Sequence, residues 1–385
     1  MHTPYQMTSE MMRFFCHNIA MQILQQQWLL PMMPPSLETQ GMALLKKSMA
    51  LYEESYDRLQ QLLTGMQQFS LHPYQRATPS QESIWKSGSC SVRDYGSPTA
   101  DAPIIFCIPS LINRSYIFDL HENCSLMQFL HKAGYHPILL EWHNPTQDEE
   151  AFGLSDYIIH RLEGAICAIA ERYAKPMFMV GYCLGGIMSI AALARLLPTL
   201  KPYVKGLAVL AMPWDFTPMV TALPSHMSSN EDPLNVARAL QQYFWALAPE
   251  KMLQKFTYFS HLDPTSALAE HFVATERWCN DILPLPAQVI QECTEQFVMK
   301  NALVHQTWSV GGDMLDYTPL ATLKSLMIFP QKDHIVPEIS AMAAIQALPF
   351  ANILQVPMGH VGIMSSRRAP QQVWQPLVDW FASAL

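Results

Sequence analysis

One stretch constrains this sequence more than any other, an apolar run that ends at a glycine-flanked cysteine. Residues 175–182 read Lys-Pro-Met-Phe-Met-Val-Gly-Tyr and predict a short buried strand. From Gly186 to about Leu197 the chain is rich in Ala, Leu and Met, which predicts a helix. Cys183 therefore stands at a strand-to-helix corner, in the Gly-x-Cys-x-Gly spacing of a nucleophile elbow. The glycines fit this corner because a Cβ at either flank would meet the packed strand and helix.

The predicted helix points its N–H groups and its positive dipole end at the Cys183 thiol, an arrangement that favours a thiolate. A thiolate in an exposed corner is a nucleophile. The structural alternative is a buried cysteine beside a glycine-rich turn.

Charge and cysteine usage narrow the function classes. The chain has 24 basic and 32 acidic residues, a net charge of −8 and no block of Lys or Arg, so nucleic acid is not expected as a partner. Its eight cysteines form no CxxC and no Cys/His spacing typical of a metal site, which predicts neither disulfides nor a metal. We expect a reduced, cytoplasmic setting. No apolar run is long enough for a transmembrane helix, and the first 30 residues lack the pattern of a signal peptide.

The first 85 residues predict a helical extension and a linker. One helix is expected from about residue 8 to 30 and a second from 37 to 68, followed by a polar, proline-containing linker over 72–81. The helices either pack against the rest of the protein or offer a surface to a partner subunit or an apolar particle.

Residues 86–385 predict an α/β domain, because short apolar strands alternate with helical segments. Such a pattern implies a mostly parallel sheet covered on both faces, with ligands at the carboxyl ends of the strands. Strands are expected near 88–94, 103–109, 136–141, 177–182, 206–211, 324–329 and 352–357, and helices near 123–133, 155–173, 185–197, 338–347 and 370–384.

More than a hundred residues separate the strands at 206–211 and 324–329. A connection of that length carries structure of its own, so we expect a cap over residues 215–318. Its aromatic residues, such as residues 243–245 and Trp308, suit either an apolar substrate channel or a small core within the cap.

A thiolate nucleophile needs a base, and the base needs a carboxylate to orient it. Asp333 follows the strand predicted at 324–329, and His360 follows the next one. The chain order Cys183, Asp333, His360 is the nucleophile–acid–histidine order of the α/β-hydrolase fold. His334 is a rival base and is kept as a secondary site residue, because adjacent side chains in an extended segment point apart.

An oxyanion hole is expected from the backbone N–H of Leu184 and from a second N–H after the strand at 103–109, at Ser110 or Leu111. Three further residues, Asn113, Tyr116 and Tyr182, are candidates for a secondary or substrate-binding role.

These segments together resemble the signatures of the poly(3-hydroxyalkanoate) synthases. The likeness covers about residues 90–385 and is closest to the short catalytic subunit of the two-subunit type. The segments that carry it are 181–186 (Gly-Tyr-Cys-Leu-Gly-Gly), 109–120, 141–145 (Glu-Trp-His-Asn-Pro), Asn301 with 311–312, 333–337 (Asp-His-Ile-Val-Pro) and 359–360.

The resemblance implies an acyltransferase that polymerises (R)-3-hydroxyacyl-CoA into a polyester and releases CoA. It implies a thioester on Cys183, with His360 as base and Asp333 as its carboxylate partner. CoA enters as part of the substrate, so no cofactor is expected. Implied partners are the growing polyester, a second synthase subunit or a second copy of the chain, with association to polymer granules in the cytoplasm.

Three alternatives remain open from the sequence. One is a synthase-like acyltransferase or hydrolase that does not polymerise. Another is a cysteine hydrolase similar to dienelactone hydrolase, although 150 residues (333 − 183) separate Cys183 from Asp333 and those enzymes are compact. The third is a non-enzymatic scaffold whose N-terminal helices bind partners.

Overall fold

The computed structural model describes residues 35–77, 81, 83–222 and 232–385. The helix expected at 8–30 therefore lies outside the described residues, as do parts of the expected linker. The second N-terminal helix is present as α1 (Pro35–Leu71), slightly longer than predicted.

The strands in the described part of the chain are β1 (Ser83–Ser87), β2 (Cys90–Asp94), β3 (Ile104–Ile108), β4 (Asp119–His121), β5 (Cys124–Ser125), β6 (His136–Trp142), β7 (Met177–Tyr182), β8 (Val204–Leu210), β9 (Ser309–Val310), β10 (Asp313–Met314), β11 (Lys324–Pro330) and β12 (Asn352–Val356). Eight of them form a sheet at the centre of the protein, in the order β1-β2-β6-β3-β7-β8-β11-β12. Strands β6, β3, β7, β8, β11 and β12 are parallel to one another, and β2 joins β6 in antiparallel register. This confirms the predicted α/β class.

Helices cover both faces of this sheet. The side chains of β3 show why: Ile104 and Phe106 belong to the apolar core on one face, and Ile105 and Cys107 belong to the core on the other. A strand buried on both sides needs apolar residues at every position, which explains the continuous apolar run in its sequence. The helices after α1 are α2 (Leu126–Lys132), α3 (Leu154–Tyr157), α4 (Gly164–Tyr173), α5 (Leu184–Leu200), α6 (Pro233–Ala246), α7 (Pro249–Phe259), α8 (Ala267–Asn280), α9 (Ala287–Cys293), α10 (Glu338–Met342), α11 (Gly362–Ser365) and α12 (Gln375–Ala384).

The helix predicted at 155–173 consists of α3, a π-helical segment (Ile158–Glu163) and α4. Other π-helical segments are Thr294–Met299 and Pro370–Trp374. Short 3₁₀ helices occupy Ser115–Phe118, Gln147–Glu149, Thr217–Ala222, Thr318–Thr322 and Ala343–Gln346.

The segment expected to form a cap is largely helical and contains α6 to α9. Its aromatic residues mostly pack in cores. Trp308 is fully buried and meets Phe297 edge to face with ring centroids 5.0 Å apart, and Tyr243 is also buried. Of the two roles left open for these residues, packing is the one that the burial of Tyr243 and Trp308 supports, whereas Trp245 is exposed.

The C-terminal part of α1 and the segment after it pack on this cap. Phe69 of α1 meets Phe256 of α7 with ring centroids 5.6 Å apart. His72 Nε2 lies 2.8 Å from the Pro264 carbonyl oxygen, and Arg277 donates to the His72 carbonyl at 2.9 Å. Strand β1 crosses the division predicted between residues 85 and 86, and the division into units stays a prediction. None of the helices in the residues described above is both long and apolar enough to cross a membrane.

Candidate active site

Cys183 occupies the corner between β7 and α5 with backbone angles of φ 53° and ψ −126°. A non-glycine residue rarely adopts this region, and it persists only where the surrounding structure enforces it. Here the Cys183 N–H donates to the Leu210 carbonyl of β8 at 2.9 Å, and its carbonyl accepts from the Gly186 N–H at 2.9 Å. The corner therefore displays the thiol at the carboxyl end of the central strands.

The glycines on both sides of Cys183 leave no space for a side chain, as predicted. A Cβ on Gly181 would lie 2.6 Å from the Gly186 Cα, and a Cβ on Gly185 would lie 2.5 Å from the Pro109 carbonyl oxygen. Real Cβ contacts of this length essentially never occur, so the backbone would have to shift. The Gly185 contact also shows that the loop after β3 lies directly against the start of α5.

Asp333 follows β11, and its side chain is completely buried. Its Oδ1 accepts backbone N–H bonds from Ile335 and Val336, both at 2.8 Å, and its Oδ2 lies 2.7 Å from His360 Nδ1. The backbone donors hold the carboxylate in place, so the second oxygen is free to orient the imidazole.

His360 interacts with Asp333, to which its Nδ1 is hydrogen-bonded at 2.7 Å, and with Cys183, which acts on it electrostatically. Burial acts to lower the pKa of this imidazole, but its interactions with Asp333 and Cys183 outweigh the burial and raise the pKa of His360 to about 10. The site thus stabilises a protonated imidazole, the form that a histidine base reaches when it takes a proton.

Tyr182 supports His360 from the side of β7. Its hydroxyl donates to the His360 carbonyl oxygen at 3.2 Å, and the two rings lie 5.3 Å apart between centroids. Burial, with the nearby negative charges, raises the pKa of the Tyr182 phenol well above its ordinary value. The tyrosine therefore stays neutral and acts as a hydrogen-bond donor.

The loop after β3 brings Ser110 and Leu111 next to the start of α5. Ser110 Oγ accepts the N–H of Ile112 at 3.2 Å, and Trp142 Nε1 donates to the Pro109 carbonyl at 3.3 Å. With the Gly185 contact, these bonds fix the loop beside Leu184. The assignment of the oxyanion donors to Leu184, Ser110 and Leu111 stays a prediction.

The same loop is bonded to the cap, which the sequence did not indicate. Tyr116 Oη donates to Asp281 Oδ2 at 3.0 Å, and Asn113 Nδ2 donates to the Trp278 carbonyl at 3.4 Å. Trp278 Nε1 in turn donates to the Arg114 carbonyl at 2.7 Å. The predicted substrate-binding residues Asn113 and Tyr116 therefore hold the loop to the cap, and their role toward a substrate stays a prediction.

His334 is the predicted residue that the structure places apart. Its side chain is exposed, and among the described contacts none joins it to Cys183, Asp333 or His360. The neighbouring aspartate turns inward while this histidine turns outward, as expected for adjacent side chains.

Comparison with known proteins shows which proteins this chain resembles in sequence. No family model matches the chain. The chain is 25% identical over 319 residues to the poly(3-hydroxyalkanoate) polymerase subunit PhaC of Haloferax mediterranei, which covers 79% of this chain and 64% of that protein. It is 25% identical to the PhaC subunit of Allochromatium vinosum, in an alignment that covers 75% of this chain and 83% of that protein. It is 23% identical to the PhaC subunit of Thiocystis violacea, in an alignment that covers 86% of this chain and 96% of that protein.

The chain is similar to poly(3-hydroxyalkanoate) polymerase subunits. These similarities run over most of the chain and confirm the resemblance seen in the sequence motifs. The chain spans slightly less than two thirds of the H. mediterranei protein and most of the other two.

Solved structures similar to this chain include two esterases. A thermophilic esterase from Thermogutta terrifontis matches with a TM-score of 0.47 and 14% identity, covering 81% of this chain and 99% of the esterase. A putative aryl esterase from Burkholderia cenocepacia matches with a TM-score of 0.48 and 16% identity, covering 77% of this chain and 94% of the esterase. The sheet order, the elbow and the placement of Asp333 and His360 after successive strands are themselves those of the α/β-hydrolase fold.

Proposed function

We propose that this chain is an acyltransferase that polymerises (R)-3-hydroxyacyl-CoA into polyhydroxyalkanoate and releases CoA. One observation carries the proposal: His360 is hydrogen-bonded to Asp333 at 2.7 Å and also interacts electrostatically with Cys183, so the three side chains meet. That arrangement supports a cysteine nucleophile, a histidine base and an orienting aspartate. The polymerase names of the relatives supply the substrate class and the reaction.

In the first half-reaction, His360 takes the proton of the Cys183 thiol and the thiolate attacks the thioester carbonyl. The resulting oxyanion is stabilised by backbone N–H groups at Leu184 and in the loop at Ser110 and Leu111. The carbon–sulfur bond to CoA then breaks, and His360 returns the proton to the leaving thiolate. Because one thioester replaces another, the acyl group is transferred to Cys183 at little cost in bond energy.

In the second half-reaction, a hydroxyl group of another 3-hydroxyacyl unit attacks the acyl-cysteine. His360 takes the hydroxyl proton and returns it to the sulfur of Cys183 as the ester forms. Water would give a free hydroxy acid at the same step, so the outcome depends on which hydroxyl reaches the thioester. The cap, which lies on the loop carrying Ser110, is the part of the chain suited to exclude water.

The word subunit in the names of the relatives supports the further proposal that the chain works with another polypeptide, as in two-subunit synthases. The catalytic chemistry resides in this chain, because all three triad residues come from it. A partner or a second copy would act through assembly, including association with the polymer granule.

The test is a product assay with purified protein and (R)-3-hydroxybutyryl-CoA, run with and without a candidate partner subunit. We expect release of CoA together with insoluble polyester, and an acyl adduct on the peptide that carries Cys183 by mass spectrometry. Release of CoA with free hydroxy acid alone would show a hydrolase instead. If wild-type protein releases no CoA under any of these conditions, the proposal is wrong.

Two cysteine variants provide the matched comparison. Cys183→Ala should abolish both CoA release and the adduct. Cys167→Ala removes another partly exposed free thiol, located on α4, and should leave both unchanged. Activity that persists in Cys183→Ala would overturn the assignment of the nucleophile.

A further inference from the structure

A second group of reactive side chains lies outside the proposed active site. His121 ends β4, Cys124 begins β5, and His271 lies on α8 of the cap. One ligand atom from each residue lies within 4.8 Å of the other two. The proposed acyl transfer uses none of these three side chains.

We propose that His121, Cys124 and His271 form a site for a divalent metal ion that binds thiolates. Zn²⁺ is the ion that these three ligands favour. Two imidazole nitrogens and one thiolate are typical zinc ligands, and water or another oxygen completes a tetrahedron. The proposal does not depend on the acyl-transfer function.

The distances fit such a site after a small adjustment. His121 Nε2 lies 2.8 Å from His271 Nδ1. Two ligands of a tetrahedral zinc ion are about 3.5 Å apart, given bond lengths of about 2.0–2.3 Å. The imidazole nitrogens therefore have to separate by less than about 1 Å, which side-chain rotation can supply.

The surroundings prepare Cys124 for this role. The Cys124 sulfur is buried, and its described contacts are two long ones to the carbonyl oxygens of Met364 and Ser365, at 3.5 and 3.8 Å. It thus gives up little bonding when it becomes a metal-bound thiolate.

His121 has one contact to exchange. Its Nδ1 accepts the Asn123 N–H at 3.2 Å, so metal binding at Nε2 requires the ring proton to move to Nδ1 and the Asn123 N–H to turn to solvent. Asn123 lies in an exposed turn, where water can replace this bond. Only the thiol proton then leaves the protein, so about one proton is released for each metal ion bound.

Nearby charges favour a cation overall. The carboxylate of Asp119 acts electrostatically on Cys124 and that of Glu270 on His121, while Arg367 acts on His271 in the opposite sense.

A bound ion would join the β4–β5 hairpin to α8, and so would join the core to the cap. The hairpin belongs to the chain segment that follows the loop carrying Ser110.

The test is a metal titration of untagged, chelator-treated protein carrying Cys183→Ala, so that the proposed nucleophile contributes no thiolate. We expect about one equivalent of Co²⁺ to bind with the intense absorption of a tetrahedral site and a thiolate charge-transfer band, and Zn²⁺ to displace it. Zn²⁺ should also raise the melting temperature.

In the Cys183→Ala background, Cys124→Ala should remove the charge-transfer band. In the same background, His271→Gln should weaken metal binding by more than 10–100-fold, roughly the loss that follows when a residue that only supports a metal ligand is removed. His121→Gln, at a partly exposed position, gives the same test with little risk to folding. His131→Gln and Cys167→Ala, outside the cluster, should leave binding unchanged. If the parent shows no thiolate band, or if Cys124→Ala binds as tightly as the parent, the group is only a hydrogen-bonded histidine pair beside a thiol.

Discussion

Tyr116 of the core donates a hydrogen bond of 3.0 Å to Asp281 of the cap, although 165 residues separate them in sequence. The tyrosine follows the loop of the proposed oxyanion hole, and the aspartate follows α8 directly. Asp281 also pairs with Arg114 at 3.3 Å. The position of the cap is therefore coupled to the position of the loop that is expected to stabilise the transition state.

Tyr116→Phe should slow acyl transfer while leaving the protein folded. A hydrogen bond to a charged group is worth about 1.5–3 kcal/mol, so we expect kcat to fall by about 10-fold or more if the loop loosens. Tyr74→Phe is the matched control, because the Tyr74 hydroxyl makes only a long bond of 3.4 Å to the Leu120 carbonyl. Equal kcat in both variants, measured by CoA release, would show that the Asp281 contact does not position the loop.

Asp333→Asn should keep the local turn and lose the orientation of His360. The amide oxygen can still accept the N–H groups of Ile335 and Val336, but the carboxylate charge beside His360 is gone. In a comparable triad the loss is roughly 10⁴-fold in kcat. Alkylation of Cys183 by iodoacetamide should slow as well, because His360 loses the carboxylate that orients it as a base for the thiol.

Asp316→Asn tests whether such a loss is specific. Asp316 also accepts a backbone N–H two residues ahead, from Thr318 at 2.9 Å, but lies outside the triad. Its substitution should change neither rate. A similar fall in both variants would point to general damage rather than to the Asp333–His360 pair.

Gly185→Ala should disturb both the elbow and the loop that it touches. The new Cβ would lie 2.5 Å from the Pro109 carbonyl oxygen. Overpacking of this kind costs about 1–3 kcal/mol, and displacement of an oxyanion donor costs on the order of 10²–10³ in kcat. Gly362→Ala is the control, because its Cβ would meet only the Met358 Cβ, at 3.7 Å. Urea unfolding and CoA release should separate the two variants.

The triad should make unfolding depend on pH in the alkaline range. The pKa of His360 is raised in the folded protein from 6.5 to about 10, so binding of its proton stabilises the fold. That contribution is complete below pH 6.5, declines above it and is lost as pH passes about 10. The difference in unfolding free energy between wild type and His360→Gln should therefore shrink from pH 6 toward pH 10. A difference that stays constant over this range would contradict the raised pKa.

Local sequence predicted the central elements well, for an identifiable reason. Strands β3 and β7 and most of β11 are apolar runs because both of their faces are buried, and the helices between them follow the alternation of an α/β domain. Strand β1 was missed because it is an edge strand of mixed composition. The short hairpins β4–β5 and β9–β10 were missed because two or three residues carry no measurable period.

The sequence by itself determined the elbow at Cys183 and the order in which the aspartate and the histidine follow it. Glycine spacing and strand ends are local properties, and the parallel sheet brings all strand ends to one edge. Only the tertiary structure decided which cap residues hold the loop at Ser110, and that His121 and Cys124 meet His271, 147 residues (271 − 124) further along the chain. Such meetings depend on how helices pack over the sheet, and packing is set by the shapes of distant surfaces rather than by any spacing along the chain.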